Sequence, residues 1–308
     1  AAGTATVLAG QMFGIPVSGT MAHSWVMYYK DEYEAFRHYA ENYPDNTVLL
    51  VDTYDTIKSG IPNAIRVARE VLEPMGKRLK GIRIDSGDLA YQSIKVRKML
   101  DDAGLTDCKI IVSNSLDEHT ISSLNMQKAR IDGYGVGERL ITGASSDYSE
   151  DSISLLGAVY KIAAVEENGG FAPRIKVSGS VEKITNPGLK KVYRVYDQNG
   201  KAKADLIAKA DETIDMSQEF RFVDPDMPWR NLKFTHCTVR PLQEKIFENG
   251  KLVYKLPTLN EIRAYVKKQL DEEIWEEEQR FVNPHKHYMD MTPDYYDMKM
   301  SLLNDSRA

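Results

Sequence analysis

Side chains that can carry out acid–base or phosphate chemistry stand at the ends of several short apolar segments of this sequence. Asp52 follows the apolar residues 47–51, and Asp85 follows residues 82–84. The other members of this group are Thr20 and His23 after residues 15–19, Ser113 and Asn114 after residues 109–112, and Gly133, Gly135 and Gly137. Because the carboxyl ends of parallel strands meet at one edge of a sheet, such residues often form the sites of α/β proteins.

The residue types in this group suit a phosphorylated sugar. Backbone amides of a glycine-rich turn, with hydroxyl and amide side chains beside them, can bind a phosphate. Carboxylates such as Asp52 and Asp85 can hold sugar hydroxyls, or a Mg²⁺ ion that neutralises a polyphosphate. Arg83 lies inside an apolar segment and needs an anionic partner, while His23 can act as a base or a nucleophile. The residues alone predict a reaction that moves a phosphate or pyrophosphate group.

Each of these residues also has a purely structural explanation. A Gly-x-Gly-x-Gly sequence is frequent in tight turns, and a single histidine near a helix start is often a capping or surface residue. Asp52, Asp55 and Asp88 stand where a helix N-cap would, a position that aspartate favours. Their joint occurrence at successive segment ends favours the functional interpretation.

The elements that position these residues alternate regularly over the first half of the chain. Polar segment ends fall at Gly19, Asp52, Asp85, Ser113 and Gly135, which are 22 to 33 residues apart. This is the spacing of βα units, and continuous apolar segments are typical of buried parallel strands. Helices are expected over residues 7–13, 21–39, 61–75, 89–100 and 117–126. The pattern predicts a βα barrel or a doubly wound sheet, and the spacing does not distinguish the two.

The second half of the chain is typical of antiparallel sheet. Residues 157–165 and 174–177 are rich in strand-forming residues, and residues 192–207 and 243–254 predict hairpins with Asn-Gly turns. We expect an acidic helix over residues 260–280, whose charges face solvent, and a covering segment over residues 283–308. The predicted domains are 1–156, a βα-barrel part; 157–257, a β-rich sandwich-like part; and 258–308, a C-terminal helix and tail.

Composition limits the classes of protein to which the chain can belong. The 308 residues carry a net charge of only −5, which gives no reason to expect nucleic acid or a membrane as a partner. Cys108 and Cys237 lie far apart and outside any Cys-x-x-Cys group, which argues against a disulfide framework and favours a cytoplasmic location. His285 and His287 lack a third ligand nearby, so a metal site there is not expected.

Five motifs appear in an order that resembles a known family. They are Gly19-Thr20-Met21-Ala22-His23-Ser24, Val51-Asp52-Thr53-Tyr54-Asp55, Arg83-Ile84-Asp85-Ser86-Gly87-Asp88, Gly135-Val136-Gly137 and Val159-Tyr160-Lys161. With these, the chain closely resembles the nicotinate phosphoribosyltransferases, which are type II phosphoribosyltransferases, over nearly its whole length. The resemblance implies an α/β fold, namely an irregular βα barrel with an antiparallel β-rich second domain and C-terminal helices.

The same resemblance implies a reaction and its partners. Nicotinate would attack C1 of 5-phosphoribosyl-1-pyrophosphate and give nicotinate mononucleotide and pyrophosphate, coupled to ATP hydrolysis. This is the entry step of NAD biosynthesis from nicotinate, the Preiss–Handler route. The expected partners are nicotinate, the sugar pyrophosphate and ATP, in a cytoplasmic homodimer. Mg²⁺ is expected as a cofactor, bound mainly through substrate phosphates and not by a dedicated protein site.

The resemblance also gives each residue a role. His23 matches the family's phosphorylated histidine, and Arg83, with Thr20, is expected to face the nicotinate carboxylate. Asp85, with Asp52 nearby, is expected to hold the ribose hydroxyls as positive charge grows at the anomeric carbon. The residues expected to bind the 5-phosphate are Ser113, Asn114, Gly135, Gly137 and, as a weaker candidate, Thr142.

One difference from the family leaves alternatives open. Family members carry a further N-terminal region, upstream of Ala1 here, which supplies part of the sandwich domain and an aromatic residue that stacks on the base. The chain is therefore expected to be truncated. A quinolinate-using enzyme is disfavoured, because it needs a basic cluster and does not use a phosphohistidine. A nicotinamide-using enzyme and a non-catalytic, ligand-binding fragment of the same fold remain alternatives.

Overall fold

The computed structural model describes residues 2–143, 160–177, 184–217 and 219–305 of the chain. Contacts divide the chain into two compact units, of which the first is Ala1–Asn186 with Asp305–Ala308 and the second is Pro187–Asn304. Each unit has a hydrophobic core of its own. The three domain ranges expected from the sequence, with boundaries after residues 156 and 257, stay a prediction.

The first unit is built on a parallel sheet. Its strands are β1 (Val48–Leu50), β2 (Gly81–Ile84), β3 (Lys109–Ser113) and β4 (Gly133–Gly135), paired in that order. The apolar residues of these strands are buried, as the continuous apolar segments predict. The order of these four described strands lacks the reversal of a doubly wound sheet and follows the succession of a βα barrel. The predicted α/β class, with a parallel sheet in this part, is confirmed.

Residues 15–17 do not form the first strand of this sheet. Only an isolated bridge joins Val17 to Thr4, and the side chains of Ile15 and Val17 are exposed. Pro16 has no backbone N–H to contribute to a strand ladder, which is why the apolar character of this segment was misleading. The expectation of a strand here was wrong, although the preceding helix, α1 (Val7–Phe13), is present.

Some helices of the first unit begin at aspartate caps, while others, such as α1, have no side-chain cap. The helix expected over residues 21–39 is two helices, α2 (His23–Tyr28) and α3 (Glu32–Asn42), because Asp31 caps α3 and accepts a hydrogen bond from the Glu34 amide. A helical segment follows β1 and begins earlier than expected. It consists of a π-helical turn (Thr56–Gly60), α4 (Ile61–Val67), a second π-helical turn (Ala68–Leu72) and a 3₁₀ turn (Glu73–Met75).

Three further helices follow the next strands. They are α5 (Leu89–Asp102), capped by Asp88, α6 (Glu118–Met126), capped by Asp117, and the short α7 (Glu138–Thr142). The first unit also contains a hairpin of β5 (Ala164–Glu167) and β6 (Gly170–Pro173). Residues 174–177 are not a strand, contrary to expectation, and residues 157–159 of the other expected strand lie outside the described residues.

The second unit is a six-stranded, mainly antiparallel sheet. In chain order its strands are β7 (Lys190–Tyr196), β8 (Ala202–Lys209), β9 (Phe220–Val223), β10 (Asn231–Phe234), β11 (Thr238–Pro241) and β14 (Met289–Met291). In space they lie in the order β10-β9-β14-β8-β7-β11. The separate β-rich part expected from the sequence is thus confirmed.

Both predicted hairpins are present in this unit. β7 and β8 pair as predicted, and β12 (Phe247–Glu248) pairs with β13 (Lys251–Leu252). Asn249 and Gly250 join β12 to β13 with φ values of 49° and 75°, the left-handed pair that a two-residue hairpin turn needs.

Two expectations about the C-terminal part were wrong. Residues 283–308 do not merely cover the fold, because β14 lies between β8 and β9 in the middle of the sheet, and α9 (Pro293–Asp305) follows it. The acidic helix is α8 (Leu259–Lys268), which continues as a π-helical turn only to Glu273. Its acidic residues do not all face solvent, since Glu273 accepts hydrogen bonds from Tyr196 and Arg240. Within the described residues, no helix is long and apolar enough to cross a membrane.

Candidate active site

The strand ends of the parallel sheet bring four of the predicted residues into one row. β1 pairs with β2 so that Leu50 lies beside Arg83, which puts Asp52 beside Asp85 two residues further on. The pairing of β2 with β3 puts Asp85 beside Ser113, and Ser113 is paired with Gly135 on β4. Asp52 accepts hydrogen bonds at Oδ2 from the amide of Asp85 (2.9 Å) and from the hydroxyl of Ser86 (2.6 Å).

Arg83 is held on this row by three hydrogen bonds. Its Nε donates to Ser113 Oγ (2.8 Å), and its Nη1 donates to Thr20 Oγ1 (3.0 Å). Its Nη2 donates to Asp85 Oδ1 (3.0 Å), which lies two residues further along the chain, just after the end of β2. The guanidinium thus has the partners that its place within an apolar strand requires, and its orientation is fixed.

Asp85 is the electrostatic centre of the row. Burial raises the pKa of its carboxyl, but contacts with His23, Ser113 and Arg83 outweigh that effect and hold the pKa well below the usual range. The hydroxyl of Ser113 donates to the same Oδ1 that Arg83 contacts. Asp85 is therefore a carboxylate at every pH at which the protein is expected to work.

His23 lies behind this row and is almost completely buried. Its Nδ1 is 3.1 Å from Thr53 Oγ1, while its Nε2 is 3.7 Å from Asp85 Oδ2 and 4.0 Å from Asp52 Oδ1. At these distances the attraction to the carboxylates is electrostatic and not a hydrogen bond. In the described part of the chain, His23 Nε2 and Asp52 Oδ1 are buried without a hydrogen-bond partner. Such an open pair indicates a place for a transferred proton or a ligand atom.

The turn after β3 has an unusual backbone. Asn114 and Ser115 have φ values of 91° and 50°, a left-handed region that is costly for residues other than glycine. The turn also packs closely against β4, because a Cβ on Gly135 would lie 3.2 Å from the Cβ of Ser113. Strain of this kind collects at ligand sites, where the surrounding structure maintains it.

An open cavity of about 290 Å³ lies above this turn. Its lining includes six of the predicted residues, namely Arg83, Asp85, Ser113, Asn114, Gly135 and Gly137. Glu138 and Arg139 at the start of α7 also line it, and Arg139 is paired with the buried Asp117 at the start of α6. The cavity is thus lined by two cationic and two anionic side chains, together with Gly135 and Gly137.

Some predicted residues lie outside this cavity. His23, Asp52 and Thr20 do not line it, but each contacts a residue that does. Thr142 is exposed at the end of α7, where its hydroxyl donates to the carbonyl of Glu138, and it is not brought to the cavity. The structural explanation holds for Asp55 and Asp88, which cap the helices behind them.

The residues of the site that the sequence did not single out include Glu138, which lines the cavity, and three others. Thr53 contacts the imidazole, Ser86 contacts Asp52, and Arg139 lines the cavity. Thr53 and Ser86 stand inside the quoted motifs, so their neighbours could have drawn attention to them. No local signal marked Arg139, because its partner Asp117 is distant in sequence.

A second, larger concavity does not resemble a catalytic site. It has a volume of about 430 Å³ and lies along α8 in the second unit, lined by Ile262, Val266 and Leu270 among others. Lys267 and Asp271 at its edge form an exposed ion pair with each other. Because binding and catalysis need convergent polar groups, the smaller cavity at the strand ends is the better candidate.

The described residues offer carboxylates for a metal ion but no complete protein cage. Asp52 and Asp85 provide the oxygen ligands that Mg²⁺ prefers, and Asp52 Oδ1 has no partner. Among the described residues, however, no group of three His, Cys, Asp or Glu side chains could hold a metal ion. These carboxylates suit a Mg²⁺ ion that takes most of its ligands from substrate phosphates. They do not suit an ion that is held by protein side chains alone.

Fold and site together define an α/β protein with a polar cavity at the carboxyl ends of its parallel strands. The chain belongs to the nicotinate phosphoribosyltransferase (NAPRTase) family, whose model matches residues 1–217. The model of the nicotinate phosphoribosyltransferase C-terminal domain matches residues 189–299, a range that lies within the second unit.

Three curated relatives named nicotinate phosphoribosyltransferase illustrate the similarity. The Bacillus subtilis (strain 168) protein is 46% identical over 308 residues, covering 99% of this chain and 60% of the relative. The Dictyostelium discoideum protein is 33% identical over 357 residues, covering 99% of this chain and 58% of the relative. The Homo sapiens protein is 30% identical over 320 residues, with corresponding shares of 85% and 56%. The chain thus spans less than two thirds of the length of these relatives.

Proposed function

We propose that the protein to which this chain belongs condenses nicotinate with 5-phosphoribosyl-1-pyrophosphate, giving nicotinate mononucleotide and pyrophosphate, with ATP hydrolysis coupled to turnover. This would be the entry step of NAD biosynthesis from nicotinate, the Preiss–Handler route. Family membership supports the proposal. One observation supports the proposed roles of individual residues: Arg83, Asp85 and Ser113 are joined by hydrogen bonds and line an open cavity.

Arg83 is proposed to bind the nicotinate carboxylate. Three of its five N–H groups are used by Ser113, Thr20 and Asp85. The remaining two, one on each Nη, have no partner among the described residues and suit the two oxygens of a carboxylate. Thr20 contributes to the same pocket by fixing Nη1. Among the described residues that line the cavity, the other guanidinium, Arg139, is already paired with Asp117, which supports a substrate with one carboxylate over one with two.

Asp85 is proposed to stabilise the positive charge that grows at C1 of the ribose as pyrophosphate leaves. A carboxylate whose pKa is held low stays ionised, and a fixed charge needs no rearrangement during the reaction. Asp52 supports it from behind by accepting the hydrogen bond of the Asp85 amide. The ribose hydroxyls are the natural donors to these carboxylates in the bound state.

The turns around the cavity are proposed to bind the 5-phosphate. Ser113 and Asn114 lie on the strained turn after β3, and Gly135 and Gly137 lie on the facing turn. A Cβ on Gly137 would meet no atom within 4 Å, so a ligand can approach its backbone closely. Thr142 is the weaker candidate for this role, because it does not line the cavity.

His23 is proposed to accept the γ-phosphate of ATP. Its Nε2 faces the site and has no hydrogen-bond partner among the described residues, so that it is open to an incoming phosphate. The phosphohistidine would favour binding of the sugar pyrophosphate, so that ATP hydrolysis drives the condensation. Mg²⁺ is proposed as a cofactor that enters with the substrate phosphates and neutralises part of their charge.

The reaction can be tested directly on the intact protein. It would be incubated with nicotinate, the sugar pyrophosphate and Mg·ATP, and nicotinate mononucleotide would be measured by liquid chromatography, with nicotinamide and quinolinate as competing substrates. His23→Ala should abolish ATP-coupled turnover, while the exposed His119→Ala should not. Absence of mononucleotide would overturn the proposal. Binding of the sugar pyrophosphate without turnover, and without phosphate on His23, would identify a non-catalytic relative.

We also propose that the intact protein is a homodimer and acts in the cytoplasm, as the family relation suggests. Light scattering on a size-exclusion column should give twice the mass of one chain. A mass of one chain at micromolar concentration would contradict the dimer.

A further inference from the structure

Thr53 holds His23 from the side opposite the carboxylates. The Thr53 side chain is completely buried, and its Oγ1 lies 3.1 Å from Nδ1 of the ring. Thr53 is the next residue after Asp52. Two consecutive residues therefore lie on the two sides of the imidazole, with the Thr53 hydroxyl at Nδ1 and the Asp52 carboxylate near Nε2. Among the described residues, this is the single hydrogen bond made by the His23 side chain.

The chemistry of the two ring nitrogens is therefore different. Nε2 faces the carboxylates of Asp52 and Asp85, which favour a proton on that nitrogen. A nitrogen that carries a proton has no lone pair for attack on phosphorus. The ring can become a nucleophile at Nε2 only if its remaining proton stays on Nδ1. A neutral hydroxyl at Nδ1 can accept that N–H without adding a third negative charge beside the incoming phosphate.

We infer that Thr53 is a positioning residue that keeps a proton on Nδ1 of His23 and so directs Nε2 towards the phosphate of ATP. This inference rests on the phosphohistidine of the proposed function. In the step, the ring is in its neutral form with the proton on Nδ1, held by Thr53, so that Nε2 carries the lone pair. The Nε2 lone pair then forms a bond to the γ-phosphorus, the bond from that phosphorus to the bridging oxygen breaks, and ADP leaves with the electron pair.

The inference is tested first without any substrate. Nitrogen NMR of the intact protein, labelled with ¹⁵N in its histidines and assigned with His23→Asn, reports which nitrogen of the neutral ring carries the proton. We expect the Nδ1–H form in the wild type and a shift to the Nε2–H form in Thr53→Val. Thr53→Ser should restore the wild-type form. Thr56→Val, which changes another buried threonine three residues away, should leave it unchanged.

The second measurement is the rate at which ATP phosphorylates His23. Loss of the Thr53 contact should slow it about ten- to a hundredfold, with recovery in Thr53→Ser. Thr53→Ala is made in parallel with Thr53→Val, so that the test can still be made if one of the two variants does not fold. Circular dichroism shows which of them is folded. A wild-type tautomer in either folded variant would overturn the inference. If the wild type itself forms no phosphohistidine, the proposed function fails, and the tautomer measurement still decides the role of Thr53.

Discussion

Arg83 organises its neighbours because it is held from three sides. Its hydrogen bonds to Thr20, Ser113 and Asp85 come from three different segments of the chain, so the guanidinium links them. A lysine in its place would present one compact ammonium and lose the forked geometry. The forked shape of the guanidinium, and not only its positive charge, holds Asp85 and Ser113 in place at the cavity.

Arg83→Lys in the intact protein should weaken nicotinate binding far more than binding of the sugar pyrophosphate. Because two charge-assisted hydrogen bonds to a planar carboxylate are lost, we expect the KM for nicotinate to rise about ten- to a hundredfold. Steady-state kinetics with each substrate varied in turn measure this. Arg78→Lys is the control, since Arg78 forms an exposed pair with Asp107 and such pairs contribute little. Equal increases of both KM values would contradict the assignment.

At the scale of elements, the π-helical turn after β1 explains how Asp52 and Thr53 are positioned. Asp55 caps this turn by accepting from the amides of Ile57 and Lys58. Gly60, at the end of the turn, packs directly on Val51, because a Cβ on Gly60 would overlap the Val51 carbonyl oxygen. The helix is thereby held against the residue that precedes Asp52.

Gly60→Ala should therefore destabilise the fold although it raises helix propensity. We expect the free energy of unfolding to fall by about 3 kcal/mol, because backbone atoms cannot move aside as a flexible side chain can. Urea denaturation measures the change. Gly19→Ala is the matched control, since a Cβ there meets no atom within 4 Å, and it should change stability by less than about 1 kcal/mol. A Gly60→Ala protein as stable as the control would refute the close contact.

A second element-scale feature is a pair of buried carboxyl groups in the other unit. The pairing of Met291 with Val223 puts Asp290 on β14 opposite Asp224, which follows β9. Both oxygens of Asp290 are buried and lack a hydrogen-bond partner within the described residues. Burial, and then the charge of Asp224, raise the pKa of Asp290 to about 6, although Arg230 and Lys286 oppose this.

Asp290→Asn should stabilise the second unit in a pH-dependent way. Because the pKa of Asp290 is higher in the folded than in the unfolded state, its protonated form contributes stability in acid that is lost as the pH rises through 6. The amide carries no charge at any pH, so the variant should gain on the order of 2 kcal/mol over the wild type near pH 8 and little near pH 4. Urea denaturation at both pH values measures this. The exposed Asp211→Asn should show no such dependence, and an equal gain at both pH values would contradict the explanation.

At the scale of the whole molecule, the division into two units predicts independent folding. Val195, Ala204, Leu206 and Phe222 belong to a core made within Pro187–Asn304. A fragment of residues 187–304 should therefore unfold cooperatively on heating, as followed by circular dichroism. Leu206→Ala should destabilise it by about 2–5 kcal/mol, because that side chain is completely buried, while the exposed Leu256→Ala should have little effect. A gradual, non-cooperative transition would refute independence.

The parts of this molecule that could be predicted from sequence are those with a local signal. Buried parallel strands can be recognised as continuous apolar segments. Asp52, Asp85 and Ser113 could then be predicted to lie side by side, because the functional residues of α/β proteins lie at the carboxyl ends of such strands. β14 has no such signal, since three residues with an aspartate in the middle do not resemble a central strand. The contact of Arg139 with Asp117 could not be predicted either, because it depends on where two separate helices begin.

The place of β14 also bears on how the protein is synthesised. β8 and β9 leave the ribosome well before β14, although β14 lies between them in the sheet. Until then both carry unpaired backbone edges, which are templates for association with other nascent chains. Translation that stops before Met289 would release a sheet without its middle strand. Chaperones should therefore retain this protein until residues 289–291 have been synthesised, and nonsense mutations shortly before Met289 should lead to aggregation and not merely to lower activity.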